Sequence, residues 1–275
     1  MHSTTFKNSG SSANLSPLIP GAMIERAGGL DAIETIHLSK NARIHRQSSG
    51  ARWRNPVNGR RNVMTSRFAS AKNNGRRIQC DSSGEKALYR FVEIYPPIRR
   101  YSEQIHIIEI DDEQGTLWAI PEAFVELTDG TFAWIEGKYA AALATRGGIN
   151  CIDPILSGKV GDRLARIERT LSASGYRYFV VNEFWARHPI LAANVDMIFA
   201  HQVRTPTQRE ADDLSRLVRR GETTVNDCLR AFPGRDYPEE YLCAAMARGL
   251  IEIDIRIPFG PRSPVFHPRP LFWFA

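Results

Sequence analysis

The sequence predicts an α/β fold, a mixed sheet flanked by helices, followed by a smaller C-terminal unit of three helices and a strand. Three observations carry that expectation. Runs rich in β-branched and aromatic residues, Gln104–Ile110, Thr116–Leu127 and Thr131–Lys138, are separated by the turn groups Asp111–Gly115 and Thr128–Gly130, the pattern of strands joined by tight loops. Apolar residues at helical spacing flank those runs, with Leu88, Tyr89 and Val92 on one side and Val160, Leu164, Ile167 and Leu171 on the other. Composition then shifts near Arg204-Thr205-Pro206, and short helical patterns lead into an alternating run at Leu250–Ile257.

The totals bound the class. A chain of 275 residues buries a full core and has room for two domains. With 43 % hydrophobic and 24 % charged residues it has the composition of a soluble globular protein. No apolar run of about 18 residues suggests a membrane span, and residues 1–21 lack the charged start and apolar centre of a secretory signal. Cys80, Cys151, Cys228 and Cys243 form no CxxC pair. They are expected to be reduced thiols of a cytoplasmic protein, not a zinc site.

The net charge of +6 is uneven. From Lys40 to Cys80 there are eleven basic residues and no acid, which leaves the rest of the chain at 6 − 11 = −5. A basic arm on a mildly acidic body points to nucleic acid, with contacts to phosphate that are salt-sensitive and blind to sequence.

In chain order, residues 1–39 are rich in Ser, Asn and Gly and read as a poorly ordered tail with a weakly helical patch around Met23–Leu38. Residues 40–80 are the basic arm, with Arg60, Arg61, Arg67, Lys72, Arg76 and Arg77 as DNA-contact candidates. Residues 81–203 form the main α/β domain. Its first helix starts at Ser82-Ser83-Gly84-Glu85, a capping-box pattern, so Glu85 is either a helix cap or the head of an inward-facing stripe. A two-residue turn at Asp129-Gly130 would pair Glu122 with Gly137. A three-residue loop with Gly130 in the left-handed conformation would instead pair Leu127 with Thr131, and so Glu122 with Glu136. In that register Glu122, Glu136 and Lys138 share one face of the sheet. In the later helix Val160, Leu164, Ile167 and Leu171 point inward, and Arg163, Arg166 and Arg169 outward. Residues 205–257 contain three helices followed by a hairpin-like strand, which spell a winged helix. They carry eight Arg against ten Asp plus Glu, so protein docking is favoured over DNA reading. Residues 258–275 form an extended C-terminal extension.

The chemistry is concentrated in Ile120–Lys138. Hydrolysis of a phosphodiester needs an activated water, an electrophile and help for the leaving group, and bound Mg²⁺ or Mn²⁺ can supply much of this. Glu122 and Glu136 would be carboxylate ligands, the carbonyl of Gly137 a third, and Glu85 could reach in from its helix. Lys138 would hold the attacking water and offset charge. An acid–x–lysine alone is also what a surface ion pair looks like, so the weight rests on the whole set. His106 reads as a packed strand histidine. No GxxxxGK[ST], HExxH or GxSxG motif occurs.

Over residues 60–257 the chain resembles the TnsA-type endonuclease subunit of heteromeric transposases. The likeness runs through SRFASAKNNGRRIQCDSSGEKALYRF, Gln104, Ile120-Pro121-Glu122, Ile135–Lys138 and YRYFVVNEFWARHPILAANV. It implies a restriction-endonuclease-like fold and a Mg²⁺-dependent nuclease that cuts double-stranded DNA at transposon ends. It also implies partnership with a DDE-type transposase subunit (TnsB-like) and an AAA+ regulator (TnsC-like), the latter through the winged helix. Glu85, Glu122, Glu136 and Lys138 become the catalytic set, with Gln104 in support. Two positions depart from the pattern. Glu122 stands where the family usually has aspartate, and Gly137 where it usually has a β-branched residue. A displacement of about 1 Å can cost on the order of a hundredfold in rate. The alternative expectation is therefore a nuclease-derived, weakened or inactive DNA-binding adaptor that docks transposition partners.

Overall fold

The computed structural model describes residues 21–54, 65–138, 158–182, 188–219, 221 and 223–269. Helix α1 (Gly21–Ala27) and a 3-10 turn precede strands β1 (Ile33–Ser39) and β2 (Ala42–Gln47), and then the short hairpin β3 (Ser66–Ala69) and β4 (Arg77–Cys80). Helix α2 (Ser83–Ile94) leads into β5 (Ile98–Glu103), β6 (His106–Asp112), β7 (Gly115–Ala119), β8 (Ala123–Leu127) and β9 (Phe132–Lys138). Next come α3 (Gly158–Ala173), β10 (Arg177–Asn182) and α4 (Pro189–His201). The last part holds α5 (Gln208–Val218), β11 (Thr223–Thr224), α6 (Val225–Leu229), α7 (Pro238–Ala247), β12 (Glu252–Ile253) and β13 (Pro264–Phe266). The protein is thus a mixed α/β fold with several largely antiparallel sheets.

The sheet that carries the acid–glycine–lysine run has the order β10-β9-β8-β5, with β10 parallel to β9 and the other pairs antiparallel. One face packs Ala123, Val125, Ala133 and Ile135 against Leu88, Tyr89 and Val92 of α2 and Val195 and Ile198 of α4. The other face packs Trp134 and Tyr178 against Leu164, Ile167 and Leu171 of α3, together with Ile44, Ile108 and Ile110 of a second sheet, β1-β2-β6-β7. Two-sided burial explains why β8 and β9 lack a clean polar face.

Helix α2 starts where the capping pattern puts it, with the Ser82 side chain accepting from the Glu85 N–H at 3.1 Å. The β8–β9 connection is the three-residue loop. Leu127 N donates to Thr131 O at 2.9 Å, and Gly130 sits at φ 80°, a backbone that a side chain would strain. Ala123 faces Ile135 and Glu126 faces Phe132, so Glu122 falls opposite Glu136 along the chain.

Several expectations are corrected. Of the tail expected at residues 1–39, the described part, 21–39, forms α1, the 3-10 turn and β1. Its strand is held by β2 through registered pairs such as Thr35 with His45. The run Thr116–Leu127 is two strands in different sheets, β7 and β8, parted at Ile120-Pro121-Glu122, because proline has no N–H for a ladder. Arg166 is buried, donating to Asp112 Oδ2 at 3.0 Å and Oδ1 at 2.7 Å. The alternating run at 250–257 pairs only through Glu252 and Ile253, although Ile251, Ile253 and Ile255 are all buried. The C-terminal extension is structured as far as it is described, since β13 pairs with both β11 and β12.

The C-terminal helices are not set apart by a bare linker. Leu214, Val225, Leu242, Met246 and Ile253 belong to the same apolar core as α2 and α4, and the Asn194 side chain of α4 donates to the carbonyls of Ile255 (2.9 Å) and Ile257 (2.7 Å).

Candidate active site

The site is assembled where β8, β9 and the start of α2 meet. Glu136 and Lys138 alternate onto the face of Trp134 and Tyr178, and the Lys138 ammonium contacts Glu136 Oε1 directly. The other oxygen, Glu136 Oε2, is buried and has no hydrogen-bond partner among the described residues. A buried carboxylate oxygen without a donor is costly to leave that way.

Glu122 follows Pro121 at the point where the chain crosses between sheets. Its backbone carbonyl is clamped twice, accepting from the Tyr89 hydroxyl at 2.7 Å and from Gln104 N at 2.9 Å. Its carboxylate lies at the end of β9, with Oε2 accepting from the Gly137 N–H at 3.2 Å. Here the shared-face expectation is corrected. An ideal Cβ on Gly137 would sit 2.6 Å from that oxygen, so Glu122 leans over the α2 side of the sheet end while Glu136 occupies the α3 side. Burial first, then Glu136 and Glu85, push the Glu122 carboxyl well above its ordinary range, against the opposing pull of Lys138 and the Gly137 N–H.

Glu85 is buried at the start of α2 and is already partnered. Its Oε2 accepts from Asp81 N at 2.7 Å, and its Oε1 from the Gln104 side chain at 3.3 Å. It therefore caps its own helix region and also faces the site, so both readings of this residue hold in part. Burial, followed by Asp81, raises its carboxyl pKa, with Asp81 N–H and Arg52 opposing. Among the described residues no group of three or more His, Cys, Asp and Glu side chains is gathered closely enough to hold a metal. The acids of the site are thus a pair, Glu122 and Glu136, with Glu85 set back behind Gln104.

Gln104 is the fixed point of the arrangement. Fully buried and held at φ 49°, it is a bulky residue in a conformation that costs about 1 kcal/mol or more. Its amide N holds Glu122 O, its carbonyl accepts from Trp53 N at 2.9 Å, and its side chain bridges Glu85 and Arg52, with Arg52 Nη2 donating to Oε1 at 2.7 Å. Arg52 also donates to Gln79 O at 3.1 Å and Asp81 Oδ1 at 3.3 Å.

Sequence reasoning missed Arg52, Asp81, Tyr89 and Tyr178. Tyr178 lies on the Glu136 face one strand over, and its hydroxyl is buried with no hydrogen-bond partner among the described residues. The signal available for it was the β10 run itself, since alternation from Val180, opposite Glu136, returns to Tyr178. Nothing local marked Arg52, whose partners lie 27 to 52 residues further along the chain.

The basic arm is less free than its charge suggested. Arg43 pairs with Glu109 at 2.6 Å inside the β1-β2-β6-β7 sheet, and Arg76 with Glu103 at 2.6 Å. Lys72 turns inward, its ammonium donating to the carbonyls of Tyr95 and Ile98 at 2.5 Å each, which ties the C-cap residue of α2 to the start of β5. Burial lowers its pKa to about 7, so it is a poor phosphate contact. Arg67, Arg76 and Arg77 are exposed, and Arg60 and Arg61 lie outside the described residues. His106 is a core residue whose Nδ1 accepts from Trp134 Nε1 at 3.1 Å, with burial lowering its pKa to about 3. Among the described residues no helix is long and apolar enough to cross a membrane.

Compared with models of known protein families the chain matches none, and no curated protein matches it significantly.

Proposed function

We propose that this protein is a divalent-metal-dependent DNA endonuclease of the TnsA type, with a restriction-endonuclease-like main domain and a C-terminal winged helix. One observation carries the reading. Two carboxylates, Glu122 and Glu136, reach the end of β9 from the two sides of the sheet, near enough that Glu136 helps to raise the Glu122 carboxyl, and one buried oxygen, Glu136 Oε2, has no donor among the described residues. Like charges so placed are unfavourable without a cation.

The residues fit a hard divalent ion. Magnesium is typically bound by one or two carboxylates with waters completing its shell, so the pair suffices without Glu85, and the Gly137 carbonyl is a further oxygen donor. When bound, Mg²⁺ or Mn²⁺ supplies a Lewis acid and a water of lowered pKa. The chain's own residues do the rest. Glu122 and Glu136 would hold the ion, Lys138 would orient the attacking water and offset charge at the phosphate, and Gln104 fixes the Glu122 backbone and the Glu85 carboxylate. Arg67 and Arg77, with Arg60 and Arg61, are the phosphate contacts of double-stranded DNA.

The order α5-β11-α6-α7-β12-β13 with a three-stranded antiparallel sheet supports the winged-helix reading. The first turn of α7 carries Glu239 and Glu240, and Arg204 pairs with Glu240 at 2.7 Å. That acidic start suits a protein partner better than DNA, in keeping with docking to an AAA+ regulator beside a DDE-type transposase.

The test is nicking of a supercoiled plasmid that carries transposon-end DNA, with partner proteins and Mg²⁺ or Mn²⁺. Wild type is expected to nick and Lys138→Ala to lose nicking while keeping DNA binding. A second reading, an adaptor that binds without cutting, is favoured by the resting place of Glu122 on the Gly137 N–H. It expects wild type to bind only and Glu122→Asp to cut. Failure of both proteins to cut under all these conditions removes the nuclease reading.

A further inference from the structure

The register of β8 and β9 would place Pro121 opposite Gly137, since Ala123 faces Ile135. Proline cannot complete that rung, and the chain leaves the sheet there. The Glu122 carboxylate occupies the vacated edge, with Oε2 3.2 Å from the Gly137 N–H. It can do so only because residue 137 lacks a side chain. A Cβ there would meet Oε2 at 2.6 Å and Cδ at 3.4 Å, and real Cβ atoms do not approach an oxygen that closely. The obstructing atom is the tip of a flexible side chain, so a larger residue at 137 displaces the carboxylate and leaves the strand in place.

We propose that Gly137 is a positioning residue that decides where the second carboxylate of the site rests, and that Glu122 and Gly137 are one matched pair. The extra methylene of glutamate is what lets its carboxylate lie along the strand end on the 137 N–H. A side chain at 137 returns the carboxylate toward Glu136, and an aspartate in place of Glu122 is too short to reach the same N–H. The proposal rests on the nuclease reading only for its consequence on metal binding.

Four full-length proteins test it: wild type, Gly137→Ala, Glu122→Asp and the double variant. Two readouts are used, the Gly137 amide resonance in ¹⁵N-labelled protein (assigned by its loss in Gly137→Ala) and Mn²⁺ affinity by titration calorimetry. The amide resonance is expected to move in Glu122→Asp as its acceptor is withdrawn. Gly137→Ala is expected to tighten Mn²⁺ binding about fivefold when Glu122 is present and by less than about twofold when it is combined with Glu122→Asp, a coupling of residues in contact. An unmoved amide resonance in Glu122→Asp overturns the pairing. So does an equal effect of Gly137→Ala in both backgrounds. If the amide moves as expected but no protein of the four binds Mn²⁺, the pairing stands and the metal-dependent reading of the site falls.

Discussion

Replacing Glu122 by glutamine should make the protein more stable at alkaline pH, and the sign follows from the surroundings of this carboxyl. Burial, Glu136 and Glu85 raise its folded-state pKa well above the ordinary value of 4.5. Between those two values the folded protein holds a proton that the unfolded chain has released, so stability falls as pH rises through the window. Glutamine keeps the shape and an oxygen for the Gly137 N–H but carries no charge. Glu122 is only half-buried, so water screens part of the repulsion, and the expected gain at pH 8 is on the order of 1 kcal/mol, the size of an ordinary favourable single substitution. For a chain of this size that is a rise in Tm of roughly 2 to 4 °C. At pH 4.5 the unfolded chain is half protonated and the gain shrinks to less than about 0.5 kcal/mol. Thermal unfolding followed by circular dichroism at both pH values, without divalent ions, reads this directly. An unchanged or lowered Tm at pH 8 would refute the claim that the Glu122 carboxylate is held against other acids.

Two further outcomes follow from the same geometry. Gln104→Ala removes the bridge between Arg52 and Glu85 and leaves two charged groups short of a partner, so urea titration should show a loss of about 2 to 4 kcal/mol. Glycine at the same position relieves the φ 49° backbone and should recover about 1 kcal/mol of that loss. Lys138→Ala frees Glu136 Oε1 from its ammonium and should tighten Mn²⁺ binding several-fold while abolishing nicking. Parallel loss of both would mean that Lys138 acts on the site only through folding.

Parts of this arrangement were readable from the chain because their determinants are local. The Asp129-Gly130 turn was legible, and of the two registers it offered the structure takes the three-residue loop with Gly130 in the left-handed position; Ser82 marked the start of α2. What could not be read depends on partners far away in the sequence. Arg43, Arg52 and Arg76 of the basic run looked free because their acids lie elsewhere, at Glu109, Asp81 and Glu103. Alternation correctly put Glu136 and Lys138 on one face, but it assumed that the strand continued through Pro121. With the strand broken there, the Glu122 side chain was no longer bound by the period of two and followed the open N–H of Gly137 instead. The hairpin β1–β2 was missed for a similar reason. Its strands read as the end of a poorly ordered tail and the start of a basic arm, because the β6 partner of β2 and the Glu109 that meets both Arg43 and His45 lie sixty or more residues further on.

In the proposed function the Glu122–Glu136 pair holds a divalent cation. The most direct measurement is Mn²⁺ binding to the intact protein at pH 7.5, by calorimetry or electron paramagnetic resonance, compared with Glu136→Gln. One site per chain is expected in the wild type, with a loss of affinity of at least about tenfold in the variant, equivalent to about 1.4 kcal/mol. Equal Mn²⁺ binding by the two proteins, with both folded, would contradict it.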